Sequence, residues 1–163
     1  MLTPIPVLTI RKRMPPAQFF ASILLCLVGA ACSPSGTRSL VGGDQLSREG
    51  KHQQAIEQLK KAANEVPELY RAKAWNHLGM AYHRAGQIEQ ATNAYQRAIQ
   101  LNPGFIEARF NLGSALLDLN NLPACITQLT AYLDRNPNNA TAWLLRGKAY
   151  LRANQFEIGR AHV

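Results

Sequence analysis

The sequence predicts an all-α chain, an α-solenoid of antiparallel helix pairs with three complete repeats and a truncated fourth. Three observations predict it: a pattern recurring about every 34 residues, small residues at two fixed places in each unit, and a proline closing each complete unit. The composition agrees, because 47% of residues are hydrophobic but only 7% aromatic. Core volume must then come largely from Ala and Leu, which suits closely approaching helices. A chain of 163 residues has room for one short array and a targeting segment, and none for a second large domain.

Residues 1–18 carry several prolines and the Arg11-Lys12-Arg13 cluster, and residues 19–31 form an unbroken apolar or small run. That run is shorter than the ~20 residues a helix needs to cross a bilayer. A basic start and a small-residue end predict a secretory signal over residues 1–31. Its close, Leu27-Val28-Gly29-Ala30-Ala31-Cys32, resembles the lipobox of bacterial lipoproteins, although Gly29 stands where that family usually has Leu. The resemblance implies that the Cys32 thiol receives a diacylglyceryl group and becomes the new N-terminus. Residues 32–37 would then tether the folded part near the bilayer, each buried CH₂ of the acyl chains contributing ~0.8 kcal/mol to anchoring. Ser33, rather than Asp, follows Cys32, which implies an outer-membrane lipoprotein facing the periplasm. The alternative is an ordinary cleavage site and a soluble periplasmic or secreted chain.

The period is clearest from Ala72. Counting it as position 1, Trp75, Leu78, Gly79, Tyr82, Ala91, Tyr95, Ala98 and Pro103 occupy positions 4, 7, 8, 11, 20, 24, 27 and 32. The unit over residues 106–139 repeats this with Leu112, Gly113, Leu116, Cys125, Leu129 and Pro137. It departs at Arg109 and at Tyr132, whose bulk at position 27 predicts a locally wider helix spacing. The unit over residues 36–69 has Gly43, Leu46, Ala55, Leu59, Ala62 and Pro67, followed by two extra residues, Tyr70 and Arg71. The partial unit over residues 140–157 matches through Trp143, Gly147 and Tyr150.

These positions resemble the tetratricopeptide repeat (TPR), whose units stack into a superhelix. The residues explain the spacing independently. Small residues at positions 8 and 20 let two helices approach, while large residues flank the contact. Gly86 and Asn120 tolerate the left-handed turn within a pair, and Asn102-Pro103 and Asn136-Pro137 stop the second helix. Pro123, early in a second helix, loses no needed donor. One unit cannot bury its own apolar face, whereas three can.

The resemblance implies that first helices line a concave groove through positions 2, 5, 9, 12 and 13. It assigns to that groove Lys73, Asn76, Met80, His83 and Arg84, then Glu107, Phe110, Ser114, Leu117 and Asp118, then Thr141, Leu144, Lys148, Leu151 and Arg152, with His77 and Asn111 nearby. Met80, Phe110, Leu117, Leu144 and Leu151 are expected to take apolar side chains of a partner, and Asn76 and Asn111 its backbone. For the apolar members, packing between repeats is the competing reading. The carboxylate clamp of the chaperone-tail-binding relatives is missing: Leu40, Asp44, His77, Glu107 and Asn111 stand at its positions, and a shift by one unit does not restore it.

Nothing in the motifs calls for catalysis. His52, His77, His83 and His162 accompany no nucleophile elbow, phosphate loop or metal spacing. The three cysteines, Cys26, Cys32 and Cys125, form no CxxC pair. No metal, cofactor or small-molecule substrate is expected. The +8 net charge owes three units to the leader cluster, and the remaining basic residues are scattered, which argues against nucleic acid.

The expected function is a non-catalytic scaffold at the bacterial envelope that binds an extended peptide or helix of a protein partner. Resemblance to envelope- and pilus-assembly lipoproteins implies a setting of that kind. The alternative is the adaptor portion of a longer enzyme or regulator cut after residue 157. The tail Ile158-Gly159-Arg160-Ala161-His162-Val163 is what ATC GGA AGA GCA CAC GTC encodes, a sequence resembling a sequencing-library adapter. Residues 158–163 are therefore read as an artefact, with a natural truncated repeat as the alternative, since Gly159 and Val163 land at positions 20 and 24.

Overall fold

A computed structural model describes residues 35–161 of the chain, with side chains over residues 36–154. The segment expected to be a secretory signal, Cys32, and His162 and Val163 of the tail lie outside the described residues. The chain divides into two units, residues 1–33 and 34–163, and the described helices belong to the second. They are α1 (Ser35–Arg48), α2 (His52–Glu65), α3 (Glu68–Arg84), α4 (Ile88–Leu101), α5 (Ile106–Asp118), α6 (Leu122–Leu133) and α7 (Ala140–Ala161). No strand occurs among the described residues.

Each helix packs on the next, and the first helices of successive pairs, α1, α3, α5 and α7, also touch in series. The turn inside every complete pair falls at position 15 and has a left-handed residue: Gly50 (φ 78°), Gly86 (φ 76°) and Asn120 (φ 57°). The chain reverses through matching backbone bonds, Lys51 N–H to Leu46 O at 3.0 Å, Gln87 N–H to Tyr82 O at 2.9 Å and Asn121 N–H to Leu116 O at 2.9 Å. This satisfies carbonyls that the ended helix leaves over. Between pairs, Val66 and Asn102 turn extended before Pro67 and Pro103, as the ring of the following proline demands.

The small residue at position 8 is where paired helices meet. A Cβ on Gly43 would lie 2.5 Å from Leu59 Cγ, one on Gly79 2.6 Å from the Tyr95 ring, and one on Gly113 2.7 Å from Leu129 Cγ. Position 24 of each second helix thus presses on position 8 of its own first helix. Tyr95, Leu59 and Leu129 are fully buried there. Two apolar clusters result, one over the first pair and part of the second and the other from Ala91 and Tyr95 of α4 through the third pair to α7, and Tyr82 packs against both. The core is therefore continuous along the stack.

Two features depart from a strict repetition. The extra residues Tyr70 and Arg71 are absorbed by an early start to α3, which runs for 17 residues where α5 has 13. The fourth unit does not turn at its position 15, Asn154; α7 continues as one helix of 22 residues to Ala161. Residues 158–161 continue this helix.

Candidate functional site

The face built by α3, α5 and α7 carries the residues expected to line a groove, and several of them are engaged with one another. Met80, His83 and Arg84 of α3 and Asn111 of α5 surround a hollow of about 280 Å³ whose floor includes Tyr95. The repeat geometry explains the meeting: helices one unit apart place positions 9, 12 and 13 of one opposite position 6 of the next.

Polar contacts cross each join. Position 13 of a unit reaches back to position 12 of the unit before it. Arg84 donates to Ser47 Oγ at 2.8 Å, His83 Nε2 lies 2.7 Å from Asp118 Oδ2, and Arg152 donates to the Leu117 carbonyl at 3.2 Å. Two further contacts join positions 5, 6 and 9. His77 Nδ1 lies 3.0 Å from Asp44 Oδ1, and Asn111 Nδ2 donates to Asn76 Oδ1 at 2.9 Å. This ladder was not legible from the family positions. Its signal was in the sequence as polar pairs 33 to 37 residues apart, close to one period.

The expected backbone binders are thus already paired. Asn76 is 5% exposed, and its Nδ2 reaches Met80 Sδ at 3.8 Å, so it is a buried link between repeats. Leu117, expected as an apolar anchor, is only 4% exposed and lies in the core with Leu122 and Cys125. The competing reading, packing between repeats, holds at that position. Phe110 is half-buried against Tyr132, ring centroids 5.1 Å apart. The Tyr132 hydroxyl accepts from Asn139 Nδ2 at 2.9 Å.

Lys73, Glu107, Asp118, Thr141, Leu144, Lys148, Leu151 and Arg152 are exposed, and Ser114 is half-buried. Leu144 and Leu151 are 57% and 67% exposed. The apolar part of the face therefore lies toward α7, and the polar part toward α3. Burial holds the His77 imidazole below its ordinary pKa despite the opposing pull of Asp44. Since the Asp44 carboxylate can only accept, the neutral ring carries its proton on Nδ1.

Among the described residues no group of His, Cys, Asp and Glu is placed to hold a metal. None of the described helices is long and apolar enough to cross a membrane. Cys125 is a buried free thiol, its pKa pushed up to about 11 chiefly by desolvation, the opposite of an activated nucleophile.

Two family profiles, each described as tetratricopeptide repeat, match residues 72–105 and 110–157, together about half of the chain. The peroxisomal targeting signal receptor of Saccharomyces cerevisiae is 36% identical over 59 residues, which are 36% of this chain and 9% of the receptor. The uncharacterized protein ycf37 of Pyropia yezoensis is 35% identical over 71 residues, 44% of this chain and 40% of that protein. The matched stretches thus span less than half the length of these relatives. Among solved structures, the first TPR domain of Spaghetti (RPAP3), bound to an HSP90 peptide, superposes with TM-score 0.70 at 22% identity, covering 74% of this chain and 94% of that one. MamA of Desulfovibrio magneticus superposes with TM-score 0.69 at 22% identity, covering 76% and 68%. At such identities the likeness is one of fold.

Proposed function

Because the chain belongs, through residues 72–157, to the tetratricopeptide-repeat family, we propose that it is a non-catalytic scaffold whose α3–α5–α7 face binds a segment of a partner protein. The observation that carries this reading is the hollow between Met80, His83, Arg84 and Asn111. It opens between two repeats on the face where Phe110, Leu144 and Leu151 continue as apolar contacts. A partner segment would seat one side chain there and lay its apolar residues toward α7. Lys73, Lys148 and Arg152 lie exposed along the same face and would meet polar or acidic groups of the partner. The peptide complex of the RPAP3 domain supports this use of the fold.

The envelope setting belongs to the same proposal and rests on the leader sequence. Cys32, lipidated after cleavage, would anchor the scaffold to the outer membrane, where a nearby assembly machine supplies the partner. Mass spectrometry of the mature N-terminus checks the anchor: a diacylglyceryl cysteine is expected, and a free Ser33 or Cys32 thiol would refute it. The groove is checked by a photocrosslinking side chain placed at Met80, at Phe110 and, as a control on the opposite helix layer, at Gln96. Adducts from native envelopes are expected at the first two positions only. Equal labelling from Gln96 would remove the groove from the account.

A further inference from the structure

The ring of Tyr95 presses on Gly79, as Leu59 and Leu129 press on the equivalent glycines of the neighbouring repeats. Unlike the leucines, it brings a hydroxyl with it. The side chain is 1% exposed, and the hydroxyl bonds to no described residue. A phenol withdrawn from water without a partner is unfavourable, so the group calls for a physical reason. The hydroxyl is not sealed in. Among the described residues, His52 Nδ1 is the one buried side-chain polar atom that is both closed to solvent and unbonded. The trace of surface that Tyr95 keeps therefore includes its hydroxyl, and it opens into the floor of the hollow between α3 and α5.

A cation without a carboxylate lines the same hollow. Arg84 donates to Ser47 Oγ and pairs with no Asp or Glu among the described residues, which leaves further N–H groups of its fork available. The carboxylates on the neighbouring turns are already matched. Asp118 lies 2.7 Å from His83 Nε2, and Asp44 lies 2.7 Å from Arg48 Nη2 and 3.0 Å from His77 Nδ1. Burial pushes the pKa of the Tyr95 hydroxyl up, with the Arg84 charge opposing, so the phenol keeps its proton and can donate. Met80 gives the hollow an apolar wall.

Resting on the reading of this face as a partner groove, we propose that the hollow seats the side-chain carboxylate of an Asp or Glu in the partner segment, received jointly by the Tyr95 hydroxyl and the Arg84 guanidinium. Hydrogen bonds to an ionised acceptor are roughly twice as strong as neutral ones. The methylenes of the acidic residue would lie against Met80. A lysine or arginine in the same place would face the Arg84 charge, and an amide would leave that charge unpaired. Neither donor holds a position of the carboxylate clamp that this chain lacks, since Arg84 stands at position 13 and Tyr95 at position 24.

The test uses the full chain and three short acetylated peptides in which one residue is flanked by leucines. The first has glutamate there and an amidated end, the second glutamine and an amidated end, and the third glutamine and a free C-terminus. The Arg84 Nε–H and Tyr95 ring resonances are followed by NMR. Saturable shifts are expected with the glutamate peptide, weakening with salt, and an affinity lower by about tenfold or more for both glutamine peptides. Tyr95→Phe keeps the ring on Gly79 and removes only the hydroxyl. It should not lower the melting temperature of the free chain, because no internal bond is lost, yet it should cut affinity for the glutamate peptide by about fivefold or more. A lowered melting temperature would overturn the proposal, because the hydroxyl would then serve the fold. Equal affinity for the two amidated peptides, with shifts at Met80 and Asn111 in both, would remove the carboxylate seat and leave the groove standing. A preference for the free C-terminus over the glutamate would also count against a side-chain seat. No shift with any of the peptides at millimolar concentration would overturn the seat and the groove together.

Discussion

Asn111 Nδ2 donates to Asn76 Oδ1 at 2.9 Å across the join between the second and third repeats. Asn76 is buried, so this bond satisfies an oxygen that water does not reach. Asn111→Ala would leave it unpaired, at a cost of about 1–3 kcal/mol. Urea denaturation of the full chain measures this. A loss below a few tenths of a kcal/mol would mean that the amide has another partner.

Gly79 and Gly147 occupy the same repeat position but should respond to alanine with opposite signs. A Cβ at Gly79 meets the buried Tyr95 ring at 2.6 Å, so the ring or the helix must shift and Gly79→Ala should destabilise by about 1–3 kcal/mol. At Gly147 the space is open, and Gly147→Ala should stabilise by about 0.5–1 kcal/mol through helix propensity. Thermal melts of the two variants decide it. Equal signs would contradict the role of position 8 as a contact point.

His77 should make stability depend on pH. Its folded pKa is lowered, first by desolvation, with Asp44 opposing. The unfolded chain therefore binds the proton more readily. Stability is fully present above the unfolded value of about 6.5 and declines as pH falls below it toward the folded value. Melting temperatures between pH 8 and pH 5 should thus drop less in His77→Gln than in the unchanged chain. Parallel profiles would show that His77 carries no such linkage.

Cys125 should be slow to react with a thiol reagent in the folded state. Its pKa is pushed up to about 11 by burial, which suppresses the thiolate. With Cys26→Ser and Cys32→Ser, labelling at pH 8 should need denaturant to reach the rate of an unfolded thiol. Rapid labelling of the native chain would place Cys125 outside the core.

The turns show how much of the fold was legible. Gly86 and Asn120 were read as left-handed positions, and Gly50 at the equivalent place in the first unit adopts the same conformation. Asn154 shares that place in the fourth unit but remains helical, because the residue tolerates a turn without requiring one. That the residues expected to line a groove share one face was legible, and their contacts were less so. Met80, His83, Arg84 and Asn111 gather around one hollow, whereas Leu117 turns into the core and Asn76 is bonded to Asn111. A helical repeat position has a direction only within some tens of degrees, so a residue at the border of two faces is assigned by its neighbours.

By itself the sequence determined the helix pairs, their turns and the glycine contacts. These follow from local backbone preference and from side-chain volume recurring at one spacing, and both are properties of single residues. Only the tertiary structure decided which polar groups bridge successive repeats and which apolar residues remain uncovered on α7. Those outcomes depend on side chains about one period apart meeting at distances near 3 Å, a scale that is set when helices pack and is invisible in the spacing alone.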